Sequence, residues 1–182
     1  MVAYVALLRG INVGGKNLIG MPALKAAFEA EGFDEVRTYI QSGNVLFTAS
    51  GSSATLTTRV ERTLSAGFGY EATVAVRSAR QLRAIVDAAP EGFGVDRETF
   101  RSDVLFLMPP LTPARAIADV PRREGVDRAW TGPGVLYFER LDARAAQSRL
   151  SKIVSLPIYR SLTIRNWATT CRLLEMLETP EG

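Results

Sequence analysis

The sequence predicts an α+β fold: a tandem of two ferredoxin-like (βαββαβ) halves with an extra C-terminal helix. Three observations point there. Short apolar strands and amphipathic helices follow the order β-α-β-β-α-β from Val2 to Arg77, and a weaker copy of that order runs from Val104 to Ile164. Two strand pairs are joined by turn-forming residues, Gln41-Ser42-Gly43-Asn44 and Gly132-Pro133-Gly134. The strands that open the halves are apolar on both alternating sets, which marks a sheet covered on both faces. The division falls near Arg77–Ser78, so the halves are residues 1–77 and 78–182.

The first strand spans Val2–Arg9 and leads through a glycine-rich loop to a helix with Pro22 in its first turn. Met21, Leu24, Ala27 and Phe28 form that helix's inward stripe, and Gly32 stops it. Val36–Ile40 and Val45–Thr48 read as a hairpin. A Gly/Ser-rich loop then enters a second helix with Leu56, Val60 and Leu64 at four-residue spacing, and Glu71–Arg77 reads as the fourth strand. Ser78 suits the N-cap of a helix carrying Leu82, Ile85 and Val86 inward, and Pro90 lies beyond its end. In the second half the order is strand Val104–Met108, a short Ala-rich helix Pro113–Ala118, strands Val126–Thr131 and Val135–Glu139, a helix Ala143–Val154, and a strand Leu162–Ile164. Asn166 then caps a last helix on which Trp167, Cys171 and Leu174 share a face.

Composition excludes several chemistries. The chain of 182 residues is 47% hydrophobic and 23% charged, the balance of a folded globular protein. It has no histidine, which removes Ser-His-Asp and Cys-His machinery and histidine-based zinc sites. The single cysteine, Cys171, forms no internal disulfide and no thiolate metal cluster. Any metal would be a hard cation on oxygen ligands, and no metal site or cofactor is assigned. The apolar runs are too short to cross a bilayer, and no basic run precedes the first of them, so no membrane association is expected and the location expected is cytoplasmic. Formal net charge is +3, but seven basic residues and one acid, Asp142, fall between Arg140 and Arg172.

Tyr4–Asn17 reads YVALLRGINVGGKN, Tyr39–Phe47 reads YIQSGNVLF, and Thr163–Trp167 reads TIRNW. Together these three ordered motifs resemble the bacterial family known as domain of unknown function 1697, over nearly the whole chain. The resemblance implies a two-part α+β fold and a cytosolic bacterial protein, and it implies no reaction. The chain departs from the family pattern at Ala168, where Asn is frequent, and at Arg149, where Lys is usual after Ser148.

Gly10–Asn17 also fits the phosphate-loop pattern GxxxxGK up to its last position, where Asn17 stands in place of the Ser or Thr that would ligate magnesium. The helix starts near Met21, not at Lys16, and a hairpin follows it, so this is not a nucleotide triphosphatase. A turn at Gly14 and Gly15 exposes successive backbone N–H groups, and Arg9 and Lys16 add full charges, which together suit an anion. The structural alternative is a tight turn needing positive φ, with Asn12 and Asn17 capping local backbone. In a split βαβ unit the first two strands run parallel and end at one edge, which places Arg9, Asn12, Lys16 and Asn17 near Gln41, Ser42 and Asn44. That acid-free set of donors suits a phosphorylated or otherwise anionic small molecule. Arg165, opening the last helix, is a further anion-binding candidate or the partner of a nearby carboxylate.

Two other functions were weighed. Nucleic-acid backbone binding through the basic stretch from Arg140 to Arg172 predicts salt-dependent affinity. Open-sheet base stacking is disfavoured, because only Tyr4 and Phe47 stand in the relevant strands and both faces read as covered. For an enzyme, Lys16 would be the cationic stabiliser and Asp34, Glu35 or Asp103 the carboxylate, with no paired-acid spacing to name a base.

Overall fold

A computed structural model describes residues 1–12, 18–41 and 43–179. The chain forms two compact units, one built from Met1–Leu82 with Leu173–Gly182, the other from Arg83–Arg172. Each contains a four-stranded antiparallel sheet with helices.

In the first unit the order is β1 (Val2–Leu8), α1 (Met21–Ala30), β2 (Asp34–Tyr39), β3 (Asn44–Ala49), α2 (Ser53–Phe68) and β4 (Val74–Ser78). The strands lie β2-β3-β1-β4, with every neighbouring pair antiparallel. Because β3 runs against both β1 and β2, those two are parallel to each other and finish at the same edge. Local chemistry explains the helices. Gly20 precedes α1 with Pro22 in its first turn, and Gly32 at φ 83 receives the chain after its last residue. Ser52 Oγ accepts from the Thr55 amide (3.1 Å) at the start of α2, and Gly69 ends that helix in the left-handed region. Leu24 and Phe28 from α1 and Leu56, Val60 and Leu64 from α2 pack with Tyr4, Ala6, Leu8 and Phe47 in one core cluster. At about 1.5–3 kcal/mol for each large apolar side chain removed from water, this stripe is the main stabilisation of the unit. Tyr4 and Phe47 stack at 5.8 Å inside it and are buried.

After β4, Ser78 opens α3 (Ala79–Asp87) as a capping box: its Oγ accepts from the Gln81 amide (3.2 Å), and Gln81 Oε1 accepts from the Ser78 amide (2.9 Å). The second unit contains β5 (Phe100–Leu107), α4 (Pro113–Asp119), β6 (Asp127–Gly132), β7 (Val135–Leu141) and β8 (Leu162–Asn166), and α5 (Trp167–Glu178) carries the chain back to the first. Its strands lie β6-β7-β5-β8, all antiparallel. Asn166 caps α5, its Oδ1 accepting from the Thr169 amide at 2.7 Å.

One expected element is different. The helix expected over Ala143–Val154 is a run of 3-10 segments, Asp142–Gln147, Leu150–Ser155 and Pro157–Ser161. The break is at Ser148, which is extended (ψ 143), with Arg144 already non-helical before it. A distant residue imposes it. Buried Asp127 at the start of β6 accepts through Oδ2 from the backbone amides of both Arg123 (2.8 Å) and Arg149 (2.9 Å), and that pull on Arg149 is incompatible with a continuous helix. The fourth strand of the first unit is also later than expected, at Val74–Ser78 in place of Glu71–Arg77. Among the described residues no helix is long and apolar enough to cross a membrane.

Candidate functional site

The edge where β1 and β2 both end is held together by backbone and by one asparagine. The Leu8 amide donates to Gly43 O (2.8 Å), and the Arg9 amide donates to Thr73 O (3.0 Å). Beyond them Gly10 and Asn12 take positive φ, 69° and 54°. The Asn12 side chain then spans the loop base. Its Oδ1 accepts from the Ile19 amide (2.8 Å), and its Nδ2 donates to Ile19 O and to Gln41 O, both at 3.0 Å. Residues 12 and 19 are thereby clasped beside Gln41 of the β2–β3 turn.

That turn has its own anchors. Asn44 is buried and donates through Nδ2 to Tyr39 O (2.9 Å), while Ile40 has φ 50° and Gly43 φ 79°. A Cβ on Gly43 would stand 2.7 Å from Ile11 Cδ1 and 2.9 Å from Leu8 Cβ. Buried Ile11 therefore presses directly on the turn backbone, and only glycine leaves room for it.

The expected site residues sort as follows. Asn12 and Gln41 meet, the former through its side chain and the latter through its carbonyl. The Gln41 side chain is exposed, and Arg9 is half-buried beside the clasp. Asn12 and Asn44 spend their amides on main-chain groups, so they build the rim. Gly14, Gly15, Lys16, Asn17 and Ser42 lie outside the described residues. Arg165 belongs to the second unit. It is buried on β8, donating through Nη1 to Thr163 Oγ1 (2.9 Å) and Ile164 O (2.8 Å), and burial lowers its pKa to about 10.

Asp103, a carboxylate candidate in the sequence, and Arg140, the first residue of the basic stretch, are partners in the second unit: Arg140 Nη1 lies 3.3 Å from Asp103 Oδ2. The signal was present. In β5, Asp103 shares the alternating set of Leu105 and Leu107, which are core, so a carboxylate stands where the pattern calls for an apolar residue. Burial pushes its carboxyl up from the ordinary value, opposed by the charges of Arg140 and Arg101.

These features define a class first: an α+β protein of two antiparallel four-stranded sheets, with Asn12 bonded to Ile19 and Gln41 at one edge of the first. The chain belongs to the family described as protein of unknown function (DUF1697), whose family model matches residues 1–137. It is similar over nearly its full length to the conserved bacterial protein SP0830 from Streptococcus pneumoniae, whose solved structure covers 97% of this chain and 98% of its own at 27% identity and a TM-score of 0.84. No curated protein matches the chain.

Proposed function

We propose that this protein binds a phosphorylated or otherwise anionic small molecule at the rim formed by the loop after β1 and the β2–β3 turn. The observation that carries the reading is the Asn12 clasp, whose Nδ2–Gln41 O bond brings the two turns to one place. Around it the sequence supplies Arg9 and Lys16 as cations, the consecutive amides of Gly14 and Gly15, and the polar side chains of Asn17, Gln41 and Ser42, with no acid among them. Asn12 and Asn44 position this rim, and Arg165 belongs to the second unit. Base stacking on the first sheet is disfavoured because Tyr4 and Phe47, the residues that would stack bases, are buried in the core. In the same reading the chain is a tandem of two ferredoxin-like halves, residues 1–77 and 78–182, with α5 as the extra helix.

The test is a thermal shift with inorganic phosphate. Wild type gains stability as ligand saturates, about 2.7 kcal/mol at a hundredfold excess over Kd. Lys16→Ala and Arg9→Ala each diminish that gain, whereas Lys152→Ala leaves it intact. A wild-type midpoint indifferent to phosphate, or an equal gain in both rim variants, would refute the reading.

A further inference from the structure

We propose that the second unit carries a separate anion site: a cleft of about 340 Å³ at the start of β5, where Arg97, Arg101 and Arg140 converge beside Trp167, suited to the phosphate monoester of a small planar molecule.

The cleft exists because two strands differ in length. β8 pairs with β5 only from Asp103 onward (Asp103↔Asn166), so Phe100, Arg101 and Ser102 extend past the end of β8, and the chain turns there into α5. On the other side of β5, Arg101 lies directly opposite Arg140 in the β5–β7 ladder. Like charges facing each other across a strand pair repel and call for a counter-charge. Two carboxylates supply part of it. Asp103 holds Arg140 at 3.3 Å, and Asp142 holds Arg101 from outside the lining. Arg97 adds a third guanidinium, exposed and in no ion pair among the described residues. Of the groups lining the cleft, three are cationic and one, Asp103, is acidic, which favours an anion of more than one charge. Arginine also offers the forked donors that phosphate oxygens accept.

Trp167 supplies the planar wall. Its indole is half-buried and packs edge-on against Phe93 at 5.1 Å. Gly94 runs so close behind it that a Cβ there would stand 2.0 Å from Trp167 Cδ1, so the ring is held in place by backbone. The same Arg101, Asp103 and Arg140 also border a second cavity of about 430 Å³, lined as well by Ile153, Val154 and Tyr159. Burial pushes the Asp103 carboxyl up and the charges of Arg140 and Arg101 oppose that, so the one acid of the lining is already engaged by arginine.

The probe is phenyl phosphate, followed by Trp167 emission in a Trp130→Phe background and by calorimetry on the unmodified chain. Saturable binding with Kd below ~1 mM is expected, phenol alone giving no response. Arg97→Ala, at an exposed position, weakens binding about tenfold, as loss of one charge-assisted contact would. Lys16→Ala leaves the Trp167 emission titration unchanged, which separates this cleft from the rim of the first unit. Absence of saturation in the Trp167 emission, an equal midpoint in Arg97→Ala, or loss of the emission response in Lys16→Ala each overturns the proposal.

Discussion

In the first unit α2 lays Leu56, Val60 and Leu64 against the sheet in one continuous sixteen-residue helix. In the second, the connection at the same place in the strand order is three 3-10 segments, with Leu150 and Ile153 as its buried residues. Strand order and pairing are nevertheless equivalent, β2-β3-β1-β4 beside β6-β7-β5-β8. Strand pairing therefore sets the topology, and the crossover has only to cover one face of the sheet. What differs is how the cover is held. α2 carries its own hydrogen bonds and caps, whereas the 3-10 cover depends on Asp127, a side chain from another strand, and leaves a cavity of about 430 Å³ against the sheet.

That comparison can be broken by mutation. Leu64→Ala removes a fully buried side chain from a close-packed helix and should cost about 3–4 kcal/mol. Ile153→Ala, beside an existing cavity, should cost nearer ~2 kcal/mol. Urea unfolding followed by far-UV circular dichroism measures both, and a cost for Ile153→Ala equal to or above that of Leu64→Ala would contradict the difference in packing. Next in size is Asp127→Ala, which strips the acceptor from two backbone amides and should cost about 2–3 kcal/mol, while Asp127→Asn retains an acceptor oxygen and costs about 1 kcal/mol. Both tryptophans, Trp130 and Trp167, lie in the second unit, so the fluorescence midpoint reports this change directly.

The smallest effect concerns acid. Glu31, at the end of α1, accepts from Arg59 and Thr63 of α2, with Arg62 nearby, and its pKa is lowered from 4.5 chiefly by the Arg59 hydrogen bond. A lowered folded-state pKa contributes stability that is complete above the unfolded value and is lost as pH falls through the folded one. Wild type should therefore lose stability more steeply below about pH 4.5 than Glu31→Gln does. Parallel acid limbs for the two proteins would show that this tie between α1 and α2 contributes nothing.

How far these features were legible in sequence depends on the range of the interactions behind them. Caps could be read, because Ser78 and Asn166 act on residues within a few positions of themselves. The meeting of the β1 loop with the β2–β3 turn followed from topology. The part Asn12 takes there did not, since its partner Gln41 lies 29 residues away. The 3-10 cover was hidden for the same reason: Ala143–Val154 has helical spacing, and the bond that breaks it comes from Asp127, 22 residues before Arg149. The arginine cleft needs the β5–β7 register, which no local pattern displays. Asp103, which the sequence places before the strand Val104–Met108, lies inside β5 on the set of Leu105 and Leu107.

The first unit is made from two stretches of chain, Met1–Leu82 and everything from Leu173 on, and Arg37 Nη2 on β2 donates to Met176 O in the later stretch at 2.7 Å. Synthesis runs from one end, so all of Arg83–Arg172 is polymerised before that last partner of Arg37 is made. A nascent chain arrested short of Leu173 would hold every residue of the later-encoded unit while its earlier-encoded neighbour still lacked Leu173, Leu174 and Leu177, all three buried in the finished protein.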